Sequence, residues 1–99
     1  MSPAAGRRLQ ATMALGGAMI GAAGTIGALA GEGPAPRWVL RLFAAWCIAT
    51  PYWWYVEHRL LAPVEPAARR DFAIGQAQSR RVWLGFTVAM AVAILARAA

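Results

Sequence analysis

The chain has 99 residues, of which 60% are hydrophobic and only 14% charged, with a formal net charge of +6. An average soluble domain is about 25% charged, and a domain this small has too little interior to hide so much apolar surface. A catalytic soluble domain is therefore excluded, and the expected fold class is an all-α integral membrane domain with three transmembrane helices. Every basic residue is arginine and there is one cysteine, Cys47. A single cysteine closes no internal disulfide and completes no zinc site. The arginines lie at the edges of apolar runs, a distribution that suits topology and anionic lipid rather than nucleic acid.

The first span is read over residues 9–31, after a short polar start carrying Arg7 and Arg8. It is built mostly of alanine and glycine, poor helix material in water but with little alternative in lipid, where unpaired backbone groups are costly. At 100° per residue Gly17, Gly21, Gly24, Ala28 and Gly31 fall on one stripe, and Leu15, Met19, Ala22, Ile26 and Leu29 fall nearly opposite. A smooth stripe lets another backbone approach closely, so the glycine side is the expected helix contact and the bulky side the lipid face. The arginine pair, apolar core and Ala28-Leu29-Ala30 are also features of a cleaved signal peptide, although the apolar run exceeds the usual signal core. Cleavage would leave two spans in unchanged orientation.

Residues 32–37 (EGPAPR) form a turn, short enough to require an antiparallel hairpin. The central span is read over 38–56. Trp38 stands at one end and Tyr52, Trp53, Trp54 and Tyr55 at the other, where amphipathic rings favour the headgroup level. Ala45 and Ala49 form a small notch, while Trp46, Trp53 and Trp54 are candidate contacts for a partner or for a cofactor's apolar tail. Pro51 removes the backbone bond to Cys47. Arg37 and Arg41 are placed to meet lipid headgroups or a partner.

Residues 57–81 are read as a cytoplasmic connection holding five of the ten arginines, among them Arg69, Arg70, Arg80 and Arg81, which like Arg37 and Arg41 are placed to meet lipid headgroups or a partner. Pro66 after Glu65 suits a helix start. From Ala67 onward no proline intervenes, which favours one long helix running into the third span at 82–98. Gly85, Ala89 and Ala93 repeat every four residues and form another small-residue face.

With three spans, Arg7, Arg8, Arg59, Arg69, Arg70, Arg80 and Arg81 share one side, against Arg37, Arg41 and Arg97 on the other. The positive-inside rule then places the amino terminus in the cytoplasm and the carboxyl terminus in the periplasm of a bacterial inner membrane. One histidine, His58, makes no bis-histidine haem site and completes no Ser/His/Asp set. No carboxylate pair sits in a span and no glycine-rich phosphate loop is present.

The chain therefore reads as a non-enzymatic accessory subunit of a larger membrane complex, for example one of respiratory or photosynthetic electron transport. Larger integral membrane subunits and anionic lipid are the expected partners. No cofactor is expected on this chain alone, with contact to lipid, quinone or pigment within a complex left open. The alternative is a self-associating, holin-like or channel-forming protein, whose glycine stripe would pack copy against copy into a homo-oligomer.

Overall fold

A computed structural model describes residues 2–98. Three helices account for nearly all of it: α1 (Pro3–Leu29), α2 (Arg37–Leu61) and α3 (Pro66–Ala98). They form a rod of 51 × 17 × 16 Å, and no strand occurs among the described residues. Two helices, α1 and α3, are long and apolar enough to cross a membrane. The central helix, α2, is not among them. It has the length, but its tryptophans, tyrosines and Arg41 hold down its mean hydropathy.

The helix boundaries correct the expected ones in physically simple ways. The polar start is not a tail, because α1 begins at Pro3 and carries Arg7 and Arg8 within its first turns. The Ser2 hydroxyl accepts from the Ala5 N–H at 3.2 Å, and Pro3 has the fixed φ and missing donor that suit a first helical position. The other end of α1 comes two residues earlier than expected. Gly31 lies beyond the helix with φ +84°, and Gly33 has φ +76°, a left-handed conformation that glycine adopts without steric cost. Gly31 is thus a turn residue rather than part of the packing stripe. Helix α2 continues past Val56 to Leu61, and α3 starts at Pro66. The 57–81 connection shrinks to residues 62–65, and the long proline-free run is one helix, as the sequence favours.

The three helices run up, down and up. Contacts between α1 and α3 rise together along both chains: Gln10 Nε2 donates to the Phe72 carbonyl at 3.0 Å, Gly21 faces Phe86, and Gly24 faces Met90. Helix α2 descends along the same stretch of α1, with Trp46 beside Gly21, Leu42 beside Gly24 and Trp38 beside Gly27. Most packing is between α1 and α3, and α2 leans more loosely on both. The approach at Gly21 is close. A Cβ there would lie 2.7 Å from the Phe86 ring and 2.8 Å from the Trp46 ring, so a side chain would push two helices away.

The buried apolar set is small: Ala28, Val39, Trp46, Phe72, Met90 and Ala93. Leu15, Met19, Ile26 and Leu29 of the bulky α1 stripe are all exposed, at 64–67%. The glycine face points inward and the large side chains outward, the reverse of a helix packed in a soluble core.

One side chain ties the hairpin end together. Arg97 Nε donates to the Gly33 carbonyl at 2.9 Å, and its two Nη atoms reach the carbonyls of Gly27, Ala28, Ala30, Glu32 and Pro34 at 2.7–3.4 Å. The last carbonyls of a helix have no intrahelical donor and carry the negative end of its dipole. A guanidinium with five N–H groups satisfies them and fixes the turn that follows. Arg97→Ala is expected to lower bundle stability by about 1.5–3 kcal/mol, the range for hydrogen bonds to a charged group. Arg97→Lys should recover only part, since an ammonium cannot fork. Thermal melting of the purified protein in detergent measures both.

Candidate functional site

A groove of about 620 Å³ opens between the first half of α1, the second half of α2 and the middle of α3. Its origin lies in how the glycine stripe is used. At Gly21 and Gly24 the stripe is filled by Trp46, Phe86, Leu42 and Met90, and Ala28 is fully buried. One turn earlier the filling stops. A Cβ on Gly16 or Gly17 would meet nothing within 4 Å, and both residues line the groove. Gly17 therefore contributes a smooth wall instead of a helix contact.

The wall opposite is aromatic. Trp46 stacks on Trp83 with centroids 6.4 Å apart and planes 12° from parallel, while Trp54 meets Trp83 edge-to-face at 5.5 Å. Trp46 also meets Phe86 edge-on at 6.4 Å. These rings form a ladder along the α2–α3 seam, holding those helices apart by the thickness of side chains. Trp46 Nε1 donates to Thr87 Oγ1 at 2.8 Å, and that hydroxyl donates on to the Trp83 carbonyl at 2.6 Å. The indole N–H of Trp83 is shut off from solvent and has no acceptor among the described residues.

Polar groups close one end of the groove. Glu57 is only 4% exposed, with Oε2 accepting from Trp53 Nε1 at 3.0 Å and Oε1 from Gln76 Nε2 at 3.2 Å. Gln76 shares that amide with the Trp54 carbonyl at 3.2 Å, which links the end of α2 to α3. Across the groove, Arg7 donates to Gln10 Oε1, and Gln10 is itself buried by its bond to α3. Both carboxylate oxygens of Glu57 are thus occupied by neutral donors, whereas Arg7 is engaged by a neutral amide. A buried carboxyl is tolerable only with such donors in place.

The remaining candidate residues lie mainly on the groove rim or the outer surface. Ala45, Ala49 and Gly85 are exposed and Ala89 half-buried; Ala49 borders the groove, and a Cβ added at Gly85 would have nothing within 4 Å. Trp53 and Trp54 are half-buried and line the groove beside buried Trp46. Arg37 and Arg41 stand at the start of α2, with Arg41 exposed, and Arg69 and Arg70 are exposed at the start of α3. Arg81 is exposed, as is Arg80, whose guanidinium sits 5.7 Å above the Trp54 ring. His58 is exposed, 6.3 Å from Phe72 between ring centroids. Cys47 is a half-buried free thiol.

Sequence reasoning misses Gln10, Gln76, Glu57 as a buried group, and Trp83 as a wall residue. Gln10 has a legible signal: it lies seven residues before Gly17 on the glycine stripe, a polar group on the face that packs. Gln76 and Glu57 carry no such signal, because each stands beside other polar residues and nothing in the spacing marks which of them turn inward.

No protein-family model, no curated protein and no solved structure matches the chain. What the geometry offers chemically is a binding surface, with an apolar length, a glycine wall, an indole wall and a polar end.

The two indoles at the centre should respond differently to the same change. Trp46→Phe removes the bond to Thr87 and is expected to destabilise by about 0.5–1.5 kcal/mol. Trp83→Phe removes a donor that has no acceptor and keeps an aromatic ring, so stability should stay level or rise. Paired thermal melts in detergent decide this.

Proposed function

We propose that the chain is a small, non-catalytic subunit of a larger assembly in a bacterial inner membrane, crossing the bilayer three times. The observation that carries this reading is the inversion of packing. Large apolar side chains stand exposed along all three helices, while the described interior holds six buried apolar residues and the polar Gln10, Glu57 and Gln76. Lipid can cover most of that outer surface. The exposed small residues Gly85, Ala45 and Ala49 add smooth patches unused by the chain's own packing, of the kind that admits a partner helix.

The up-down-up arrangement supports the topology. It gathers Arg7, Arg8, Arg59, Arg69 and Arg70 towards the end of the rod where α1 begins, with Arg80 and Arg81 nearer its middle, between Gly75 beside Arg7 and Phe86 beside Gly21. Arg37, Arg41 and Arg97 lie towards the other end. Five against three at the ends favours a cytoplasmic amino terminus and a periplasmic carboxyl terminus. Although α2 is the least apolar helix over a membrane-length window, its aromatic rings are suited to interfacial depth and its length suffices to cross.

Tagged protein extracted in mild detergent should elute with larger membrane subunits in fixed stoichiometry. Gly85→Leu should reduce their recovery at least fivefold while leaving the chain folded. Recovery of the unaltered chain only as a free monomer overturns the reading. Recovery as a homo-oligomer that depolarises cells replaces it with the pore-forming alternative. Separately, a reporter enzyme that is active only in the periplasm should work when fused after the carboxyl terminus and stay silent when inserted at residues 62–65.

A further inference from the structure

We infer that the groove between α1 and α2 is a binding site for one anionic phospholipid, with an acyl chain along the glycine and indole walls and its head at Arg7. The inference rests on the membrane placement proposed above and adds an occupant to it.

Length is the first support. The groove is lined from Arg7 to Ile20 on α1 and from Trp46 to Glu57 on α2. At about 1.5 Å of rise per residue these stretches cover roughly 16–20 Å. One leaflet of a bilayer contributes half of a hydrocarbon core of about 30 Å, so the groove matches a single chain plus the start of its headgroup. Its 620 Å³ lies within the roughly 300–1,000 Å³ of small-molecule sites.

Shape is the second. Gly16 and Gly17 leave open space where any other residue would project a side chain, and the opposing indoles are held by their own stacking and by Thr87. The apolar walls are therefore preformed. A flexible chain loses freedom on entering, but the protein does not have to reorganise.

Charge sets the sign of the head. The groove lining carries Arg7 and the buried Glu57, whose two oxygens are taken by neutral donors, so of the two charged groups only the Arg7 guanidinium has N–H donors to offer a head. Arg8 follows it in the chain, and Arg80 and Arg81 stand exposed on α3 beside groove residues Ser79 and Val82. Basic pockets between membrane helices on the cytoplasmic side are the usual setting for anionic headgroups. A phosphate offers several oxygens to the forked guanidinium, and the membrane placement surrounds the groove with phospholipid, so the occupant is an anionic phospholipid.

The test uses the full-length protein, delipidated in detergent and analysed by native mass spectrometry. Dioleoyl phosphatidylglycerol, dioleoyl phosphatidylcholine and oleate are added separately. One equivalent of phosphatidylglycerol should be retained per chain, and retention of oleate in its place overturns the phospholipid assignment. Phosphatidylcholine, with the same chains but no net charge, should bind at least tenfold more weakly. Arg7→Gln should abolish that preference, and Gly17→Leu should block retention by filling the groove. Leucine favours helix over glycine, so loss of binding in Gly17→Leu does not reflect a broken helix. Equal retention of phosphatidylcholine, or retention unchanged in either variant, overturns the inference. Failure of the protein to fractionate with membranes would instead overturn the placement on which it rests.

Discussion

The structure depends on one close approach, that of the α1 backbone to the side chains of its two neighbours at Gly21 and Gly24. Because glycine projects nothing, Phe86 and Met90 of α3 and Trp46 and Leu42 of α2 can all lie directly on the α1 surface. In the membrane placement proposed above there is no hydrophobic driving force between helices, since the tails are as apolar as leucine, so contact density would carry association. Moving along α1 towards its start, the same smooth surface continues while the filling side chains run out. The groove is what remains. A single stripe of small residues thus gives packing where neighbouring side chains reach it and an open groove where they do not.

Polar contacts supply what apolar packing leaves undetermined, namely register. Small apolar surfaces slide past one another at little cost, whereas a buried amide or carboxyl has few acceptable positions. Gln10 bonds to the backbone at Phe72, and Gln76 reaches both Trp54 and Glu57. These bonds set the α1–α3 and α2–α3 registers at one end. Arg97 does so at the other, by closing the exposed carbonyls of α1 and the turn into α2 from the far end of α3. A slip of either helix by one turn would strand a buried polar group at one end and orphan helix carbonyls at the other.

Much of this architecture is legible in the sequence, and the exceptions have physical causes. Three helices, the antiparallel hairpin, the inward glycine stripe and the proline-free α3 follow from spacing and from turn residues. The start of α1 has its own signal, because Ser2 followed by Pro3 is a cap and a first helical residue; counting charge instead of caps hides it. Gly31 fits the stripe by angle yet serves the turn, since helical periodicity says nothing about where the helix stops. The groove is the least legible feature. Gly17 and Gly21 look alike in the sequence, and only the positions of side chains on two other helices separate an occupied contact from an open wall. Arg97 is equally opaque, reading as a terminal charge when its partners lie more than sixty residues away.

Helix α2 shows why hydropathy and structural role part company here. Its sequence marks it as the central strut, yet it is the helix whose apolarity does not match that of α1 and α3. The residues responsible are the tryptophans and tyrosines, which combine a large apolar face with a polar edge. Trp46 and Trp53 use that edge, on Thr87 and Glu57, and Trp54 turns its ring face to Arg80. Had α2 been built of leucine and isoleucine, it would match α1 and α3 in apolarity. It would then lack donors for Glu57 and Thr87 and flat rings to keep a groove open against α1. The lower hydropathy of α2 is therefore the consequence of making it a wall, and the looser packing of α2 on the α1–α3 pair follows from the same rings.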